Sequence, residues 1–199
     1  MAVDTDAPRP EVPAELASAY DGTVGALKSL LWQASDVHDE LVVPRWGTEK
    51  HGYDRILYGL VMNIMAIVDR LSKYAHPAKA QTKRMRQILE KMGAGELEAK
   101  VAVQLWRHTL MHTGSPSVVT VDGQKYLWLL QWSERYLPRD QHLKLQAQDD
   151  RRALNFSAIT AVEDLLAVAC SYFADWMASE DHIAEIVRIE IEMHQRQAC

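Results

Sequence analysis

The chain has 199 residues, of which 48% are hydrophobic and 25% charged, a composition typical of one globular domain with a sizeable core. Its formal net charge of −5 at pH 7 argues against affinity for nucleic acid over the whole surface. No uninterrupted apolar stretch approaches the roughly 20 residues that a bilayer crossing requires, so we expect no membrane-spanning helix.

The first segment, residues 1–13, holds three of the seven prolines and few large apolar side chains. It cannot bury enough surface to offset the entropy cost of ordering, so we predict a disordered tail. The chain start lacks the basic and apolar parts of a secretory signal, and Cys170 and Cys199 show neither a disulfide framework nor metal-ligand spacing. We therefore expect a cytoplasmic protein with reduced thiols and a single domain over residues 14–199.

Apolar residues spaced three and four apart predict a mainly α protein built as a helical bundle. The first helix runs from Ala14 to Leu41, and Pro44 and Gly47 end it. The second, from Tyr53 to Ala75, is apolar nearly all round, so it is either central in the domain or shares a face with a partner chain. Asp69 lies on its second apolar face, where a carboxylate requires a cationic or polar partner.

A basic helix from about Lys79 to Met92 follows, and a helix from about Glu96 to Thr113 comes after it. Between His76 and Arg107 the chain carries a local charge of +4, which leaves −9 for the remainder. This basic segment is either the solvated face of a surface helix or a guide for an RNA backbone. In the second case the phosphate-binding residues would be Lys79, Lys83, Arg84 and Arg86.

After this helix the apolar spacing changes to two, which predicts a β-hairpin inserted at about residues 117–146. Asp122-Gly123 is suited to its tight turn, and a third short strand is expected over His142–Gln146. The aromatic residues of the hairpin either pack face-down on the helices, which we favour, or stay exposed to bind a partner; they are Tyr126, Trp128 and Trp132. Two further helices are predicted, from Ser157 to Met177 with Asn155 or Ser157 as cap and from Asp181 to Gln195, although the last segment also alternates like a strand.

The hexapeptide Arg107-His108-Thr109-Leu110-Met111-His112 places an arginine and two histidines near the end of a helix. It has three interpretations. A histidine can transfer protons and a guanidinium can hold a phosphate, which suits RNA cleavage without a metal. Alternatively, His108 and His112 have the spacing of two metal ligands, with others supplied by residues such as His38 or Asp69. The third interpretation is structural, because a helix C-terminus favours histidine.

The stretch LWRHTLMHTG, residues 105–114, resembles the signature of the HEPN superfamily, an arginine followed by four to six residues and a histidine, commonly with a polar residue after the arginine. The resemblance implies a helical homodimer that cleaves RNA without a cofactor, in a toxin or phage-defence system with an antitoxin or other protein partner. It also implies that motifs from two chains form one composite active site. Arg107 and His112 would be the catalytic pair, His108 the polar neighbour, and Asp69 the acidic residue from an earlier helix.

The same pattern occurs elsewhere in the chain, from Arg45 to His51, Arg70 to His76, Arg135 to His142 and Arg188 to His194. Gly47 interrupts the first, Pro138 interrupts the third, and the fourth lies in a charged terminal segment. The strongest competing match to the signature is the segment from Arg70 to His76, although a leucine follows its arginine and Pro77 follows its histidine. Two other functions stay open: a non-catalytic module that binds RNA or protein, and a metal-binding bundle based on His-x-x-x-His.

Overall fold

The computed structural model describes residues 11–42, 53–107 and 118–197, and the protein is mainly α with a small mixed sheet. Most of the predicted tail, residues 1–10, lies outside these ranges, as do residues 43–52, 108–117 and 198–199. In the described part, no helix is long and apolar enough to span a membrane.

Helix α1, residues 14–42, is one helical region whose hydrogen-bond pattern changes along its length. It begins with a 3-10 turn and alternates α-helical and π-helical segments. The segments are Ala14–Leu16, Ala17–Tyr20, Asp21–Gly25, Ala26–Val37 and His38–Val42. The apolar stripe is continuous across these changes, and Leu16, Val24 and Leu27 are fully buried.

Five further helices follow in the described residues, and α5 contacts α1, α2, α3 and α6. Phe173 and Trp176 of α5 pack edge-to-face, and Phe173 also contacts Tyr20 of α1 with ring centroids 5.3 Å apart. Helix α2 contacts α1, α3, α5 and α6, so its two apolar faces place it centrally in the domain. The bounds are α2 Tyr53–Ala75, α3 Gln81–Lys91, α4 Glu96–Leu105, α5 Ala158–Met177 and α6 Glu180–Gln197.

The last segment of the chain is a helix and not a strand. Ile186 and Ile189 of α6 are three residues apart and both are buried, as on one side of a helix. This side packs on α1, α2 and α5.

The sheet has four strands in the order β1-β2-β4-β3, and all of them lie between α4 and α5 in the chain. Strands β1 and β2 are antiparallel around Asp122-Gly123, whose φ values of 50° and 80° fit a tight hairpin turn. Strand β4 pairs in parallel with β2 and antiparallel with β3. The bounds are β1 Val119–Val121, β2 Gln124–Gln131, β3 Leu145–Gln148 and β4 Arg151–Ser157.

Strand β4 is absent from the sequence prediction, and the third strand lies slightly later than His142–Gln146. Residues 153–157 are buried without a break, so the strand lacks the alternation that marks a half-exposed strand. The sheet region therefore continues past the predicted insertion boundary at residue 146 and ends where α5 begins.

The hairpin aromatics are buried: Tyr126 is 3% exposed, Trp128 5% and Trp132 3%. Trp128 packs edge-to-face on Phe156 with ring centroids 5.2 Å apart. The sheet contacts α4, the helix that leads to Arg107. An exposed aromatic binding surface formed by these three residues is therefore excluded, because their side chains are part of the core.

Candidate functional site

Arg107 is the last described residue of the helical segment that continues from α4, and its side chain is exposed. Leu105 and Trp106, which directly precede it, are buried. The local fold therefore fixes the helix by its apolar residues and leaves the guanidinium facing solvent, with no hydrogen bond or ion pair to another described residue. The other two motif residues, His108 and His112, lie outside the described residues.

Asp69 is partly buried and has the cationic and polar partners that the sequence predicts for it. Arg84 Nη2 donates to Asp69 Oδ1 at 2.8 Å, and Gln81 Nε2 donates to Oδ2 at 2.8 Å. Arg84 Nε also donates to the Ser72 hydroxyl at 3.1 Å. The described contacts of Asp69 therefore connect α2 to α3, and none of them involves Arg107.

A second carboxylate, Glu190 of α6, lies next to this pair and is buried. Tyr74 OH donates a short hydrogen bond to its Oε1, and Ser18 Oγ donates to Oε2 at 2.8 Å. Arg70 Nη2 is 3.2 Å from both carboxylate oxygens, and Arg70 Nε donates to Tyr74 OH at 2.7 Å. Four side chains from α1, α2 and α6 thus form one hydrogen-bonded network.

These contacts change the pKa values in consistent directions. Burial raises the pKa of Glu190, but the hydrogen bonds from Tyr74, Ser18 and Arg70 outweigh it and leave the pKa below its ordinary value. Burial lowers the pKa of Arg70, yet its bonds with Tyr74 and Glu190 raise it overall. Burial and the bond to Glu190 raise the pKa of Tyr74. The network therefore holds a carboxylate, a guanidinium and a neutral phenol at neutral pH.

A polar cleft of about 420 Å³ opens beside both carboxylates, between α2, α3 and α6. Four of its charged residues form two ion pairs: Asp69 pairs with Arg84, and Glu190 pairs with Arg70. We infer that these ion pairs are structural: they join the helices, and the cleft is the place where they reach the surface. Its remaining lining residues are Ala66, Lys73, Met193 and His194.

The four basic residues predicted to guide RNA do not share one face. Lys79 precedes α3 and donates to Gln87 Oε1 at 2.8 Å. On α3, Arg84 and Arg86 are about 200° apart at 100° per residue, and Arg84 is occupied by Asp69. Arg86 has a buried Nε without a hydrogen-bond partner, while Lys83 is exposed.

His38, a candidate metal ligand, uses both ring nitrogens in other contacts. Its Nδ1 is 2.7 Å from Asp39 Oδ1 and its Nε2 is 3.2 Å from Ser133 Oγ. Within residues 11–42, 53–107 and 118–197, no group of three or more His, Cys, Asp or Glu side chains is placed to hold a metal ion.

In the competing arginine–histidine matches that the structure describes, the arginine or the histidine contacts other residues of the fold. Arg70 binds Glu190, whereas His76 lies against Tyr172. For the Arg135 match, His142 is buried with Nδ1 accepting the Ser157 amide at 3.0 Å.

In the match from Arg188 to His194, Arg188 pairs with Glu185 and Glu192. The match from Arg45 to His51 lies outside the described residues.

Glu190 is the polar residue of this region that sequence reasoning missed. A signal exists, because Ile186, Ile189, Glu190 and Met193 have the spacing of one helix stripe with a carboxylate in the middle. Such a residue is stable in a core only when its charge is paired, so it predicts a basic partner on a neighbouring helix.

No protein-family model, curated protein or solved structure matches the chain.

Proposed function

We propose that the protein is a metal-independent endoribonuclease whose active site is formed by the Arg107–His112 motifs of two chains at a homodimer interface. The observation that carries the proposal is the exposed Arg107, which directly follows the buried Leu105 and Trp106 and has no hydrogen bond or ion pair to another described residue. Three other arginine–histidine matches have an arginine or histidine engaged elsewhere, whereas Arg107 has no such contact within the part of the chain that the structure describes.

In the proposed reaction, His112 accepts the proton of an RNA 2′-hydroxyl, and the resulting oxygen attacks the adjacent phosphorus. The bond to the 5′-oxygen breaks, and that oxygen takes up a proton, so the products carry a 2′,3′-cyclic phosphate and a 5′-hydroxyl. Arg107 stabilises the negative charge that develops on the phosphate oxygens. His108 is proposed to orient the pair or adjust its proton affinity, whereas Asp69 is bound by Arg84 and Gln81 and is left out of the proposed site.

The test incubates purified protein with mixed cellular RNA in excess EDTA. Wild type is compared with His112→Ala and Arg107→Gln, and exposed residues provide matched controls, His182→Ala and Arg135→Gln. We expect cleavage by wild type and both controls, and a loss of at least about 100-fold in the motif variants, the range that a general acid–base residue contributes. Circular dichroism and light scattering check that each variant is folded and dimeric.

Other outcomes contradict the proposal. Cleavage that persists in His112→Ala excludes His112 as the proton-transferring group, and activity in a strict monomer excludes the composite site. RNA binding without turnover by wild type supports the binding module, and stoichiometric zinc or iron in the purified protein supports the metal-binding bundle.

A further inference from the structure

A set of basic side chains lies where α2, α3 and α5 meet, on residues that the proposed active site does not use. We call His76, Lys79 and Lys91, together with Tyr172, the basic cluster. His76 and Lys79 lie in the connection between α2 and α3, and Lys91 is the last residue of α3. Tyr172 projects from α5, with its hydroxyl 3.5 Å from His76 Nε2 and Lys91 Nζ 5.2 Å from its ring centroid.

The basic cluster differs from the neighbouring network because neither of its lysines is paired with a carboxylate among the described residues. Lys79 Nζ bonds to the neutral amide oxygen of Gln87 and Lys91 Nζ faces an aromatic ring. Within the described ranges, neither lysine forms an ion pair, whereas Arg70 and Arg84 each have one. Burial, and then the charges of Lys79 and Lys91, lower the pKa of His76. Like charges gathered in this way repel each other, so an external anion would stabilise the arrangement.

Space for a ligand is present beside Lys91 and Tyr172. A cavity of about 310 Å³ opens there along α5, and the exposed Ser171 adds a hydroxyl donor to it. Asp175 is the carboxylate on its rim. The other lining residues are Ala167 and Val168.

We propose that the basic cluster binds a phosphate of a single RNA strand, outside the Arg107–His112 motif. This inference rests on the proposed function, which supplies a phosphodiester chain as the ligand. The Lys91 ammonium and the hydroxyls of Tyr172 and Ser171 line the cavity, and the Lys79 ammonium and the His76 imidazole lie in the same cluster. Donors of these kinds suit phosphate oxygens. The donors recognise the backbone and not a base, so the basic cluster positions the strand without reading its sequence.

The experiment measures RNA affinity against salt concentration with the protein carrying His112→Ala, so that the strand stays intact. The test variant adds Lys79→Gln and Lys91→Gln, and a charge-matched control adds Lys125→Gln and Arg151→Gln on the sheet. Because each phosphate contact releases counterions, we expect the test variant to bind about threefold to tenfold more weakly with a salt slope smaller by roughly one. The control should bind as the parent does.

Asp175→Asn provides a readout of opposite sign. Removing this carboxylate takes away repulsion toward a phosphate, so affinity should rise, which loss of structure would not produce. The His76 ring signal in NMR should also move when RNA is added to the parent protein.

Each result decides one of the two proposals. If the test variant binds with the affinity and slope of the parent, or if the parent binds no RNA, the basic cluster is not a phosphate site. If Lys83→Gln weakens binding more than the test variant does, the outward side of α3 binds RNA instead and the inference is overturned. If the test variant binds weakly but wild type never cleaves RNA, the basic cluster stands and the nuclease function fails.

Discussion

At the scale of single residues, the domain depends on a few polar side chains that are buried and paired. Glu190 is the clearest example, since it accepts hydrogen bonds from Tyr74, Ser18 and Arg70 across three helices. A buried charge is costly alone but tolerated in such a network, and loss of one member leaves its partners unsatisfied.

Replacing Glu190 with glutamine should therefore destabilise the protein. The variant keeps the shape but removes the charge that faces Arg70, which is itself one-third exposed and can recover part of its solvation. We expect a loss of about 2 kcal/mol in the free energy of unfolding by urea denaturation, below the value for a fully buried pair. Glu185→Gln, which removes an exposed partner of Arg188, should cause no measurable change. Equal effects of the two substitutions would contradict the structural role of the network.

His142 should make stability depend on pH. Burial, with smaller effects from Arg139 and Lys144, lowers its pKa to about 3, and its Nδ1 already accepts the Ser157 amide. An unfolded histidine takes up its proton near pH 6.5. Between about pH 6.5 and 3 the unfolded state therefore binds more protons than the folded state, and the free energy of unfolding falls as the pH falls.

The measurement compares urea denaturation of wild type and His142→Asn at several pH values. Asparagine offers an acceptor but does not titrate. As the pH falls, the free energy of unfolding of His142→Asn should therefore decrease less steeply than that of wild type, with the slopes differing by up to about 1.4 kcal/mol per pH unit. His182→Asn, at an exposed position, should retain the wild-type slope. Parallel slopes for wild type and His142→Asn would refute the prediction.

At the scale of elements, helix periodicity carried most of the sequence prediction. The mainly α class is confirmed, and α2 spans the predicted Tyr53–Ala75 because its apolar residues repeat with the helical period and His76-Pro77 follows. Strand β4 was missed because its burial is continuous. The sequence predicted a cationic or polar partner for Asp69 but did not identify Arg84. A pairing between helices is a tertiary contact, which the spacing of residues along the chain does not encode.

The close contact between α1 and α2 predicts opposite effects for two glycines in the same π-helical segment. A Cβ at Gly22 would overlap the Arg70 guanidinium, which Tyr74 and Glu190 hold in place, whereas one at Gly25 would meet Asp21 at an ordinary 3.7 Å. We expect Gly22→Ala to lower the melting temperature. Gly25→Ala should raise the melting temperature, because alanine restricts the unfolded chain and thereby adds up to about 1 kcal/mol to the free energy of unfolding. Stabilisation by both substitutions would show that Arg70 can move away at little cost.

At the scale of the whole molecule, a neighbouring helix and the sheet both fix the position of α4, the helix that leads to Arg107. Helix α4 contacts α3 and also strands β1, β2 and β4. Trp106, the residue before Arg107, is buried in the same core as Trp128. The sheet and the helices therefore fix the position of Arg107 in the domain, so the proposed composite site would depend on how two domains associate.

Mixing two inactive variants tests this dependence. If a site draws Arg107 from one chain and His112 from the other, a dimer of Arg107→Gln with His112→Ala contains one intact combination, because each chain supplies what the other lacks. Random association of an equal mixture makes about half of the dimers mixed, and we expect these to regain a measurable part of the RNA cleavage that each variant alone has lost. The mixed dimer is isolated after co-expression with two different affinity tags, and the two pure variants are the controls. A mixed dimer as inactive as its parents would mean that the arginine and histidine act within one chain.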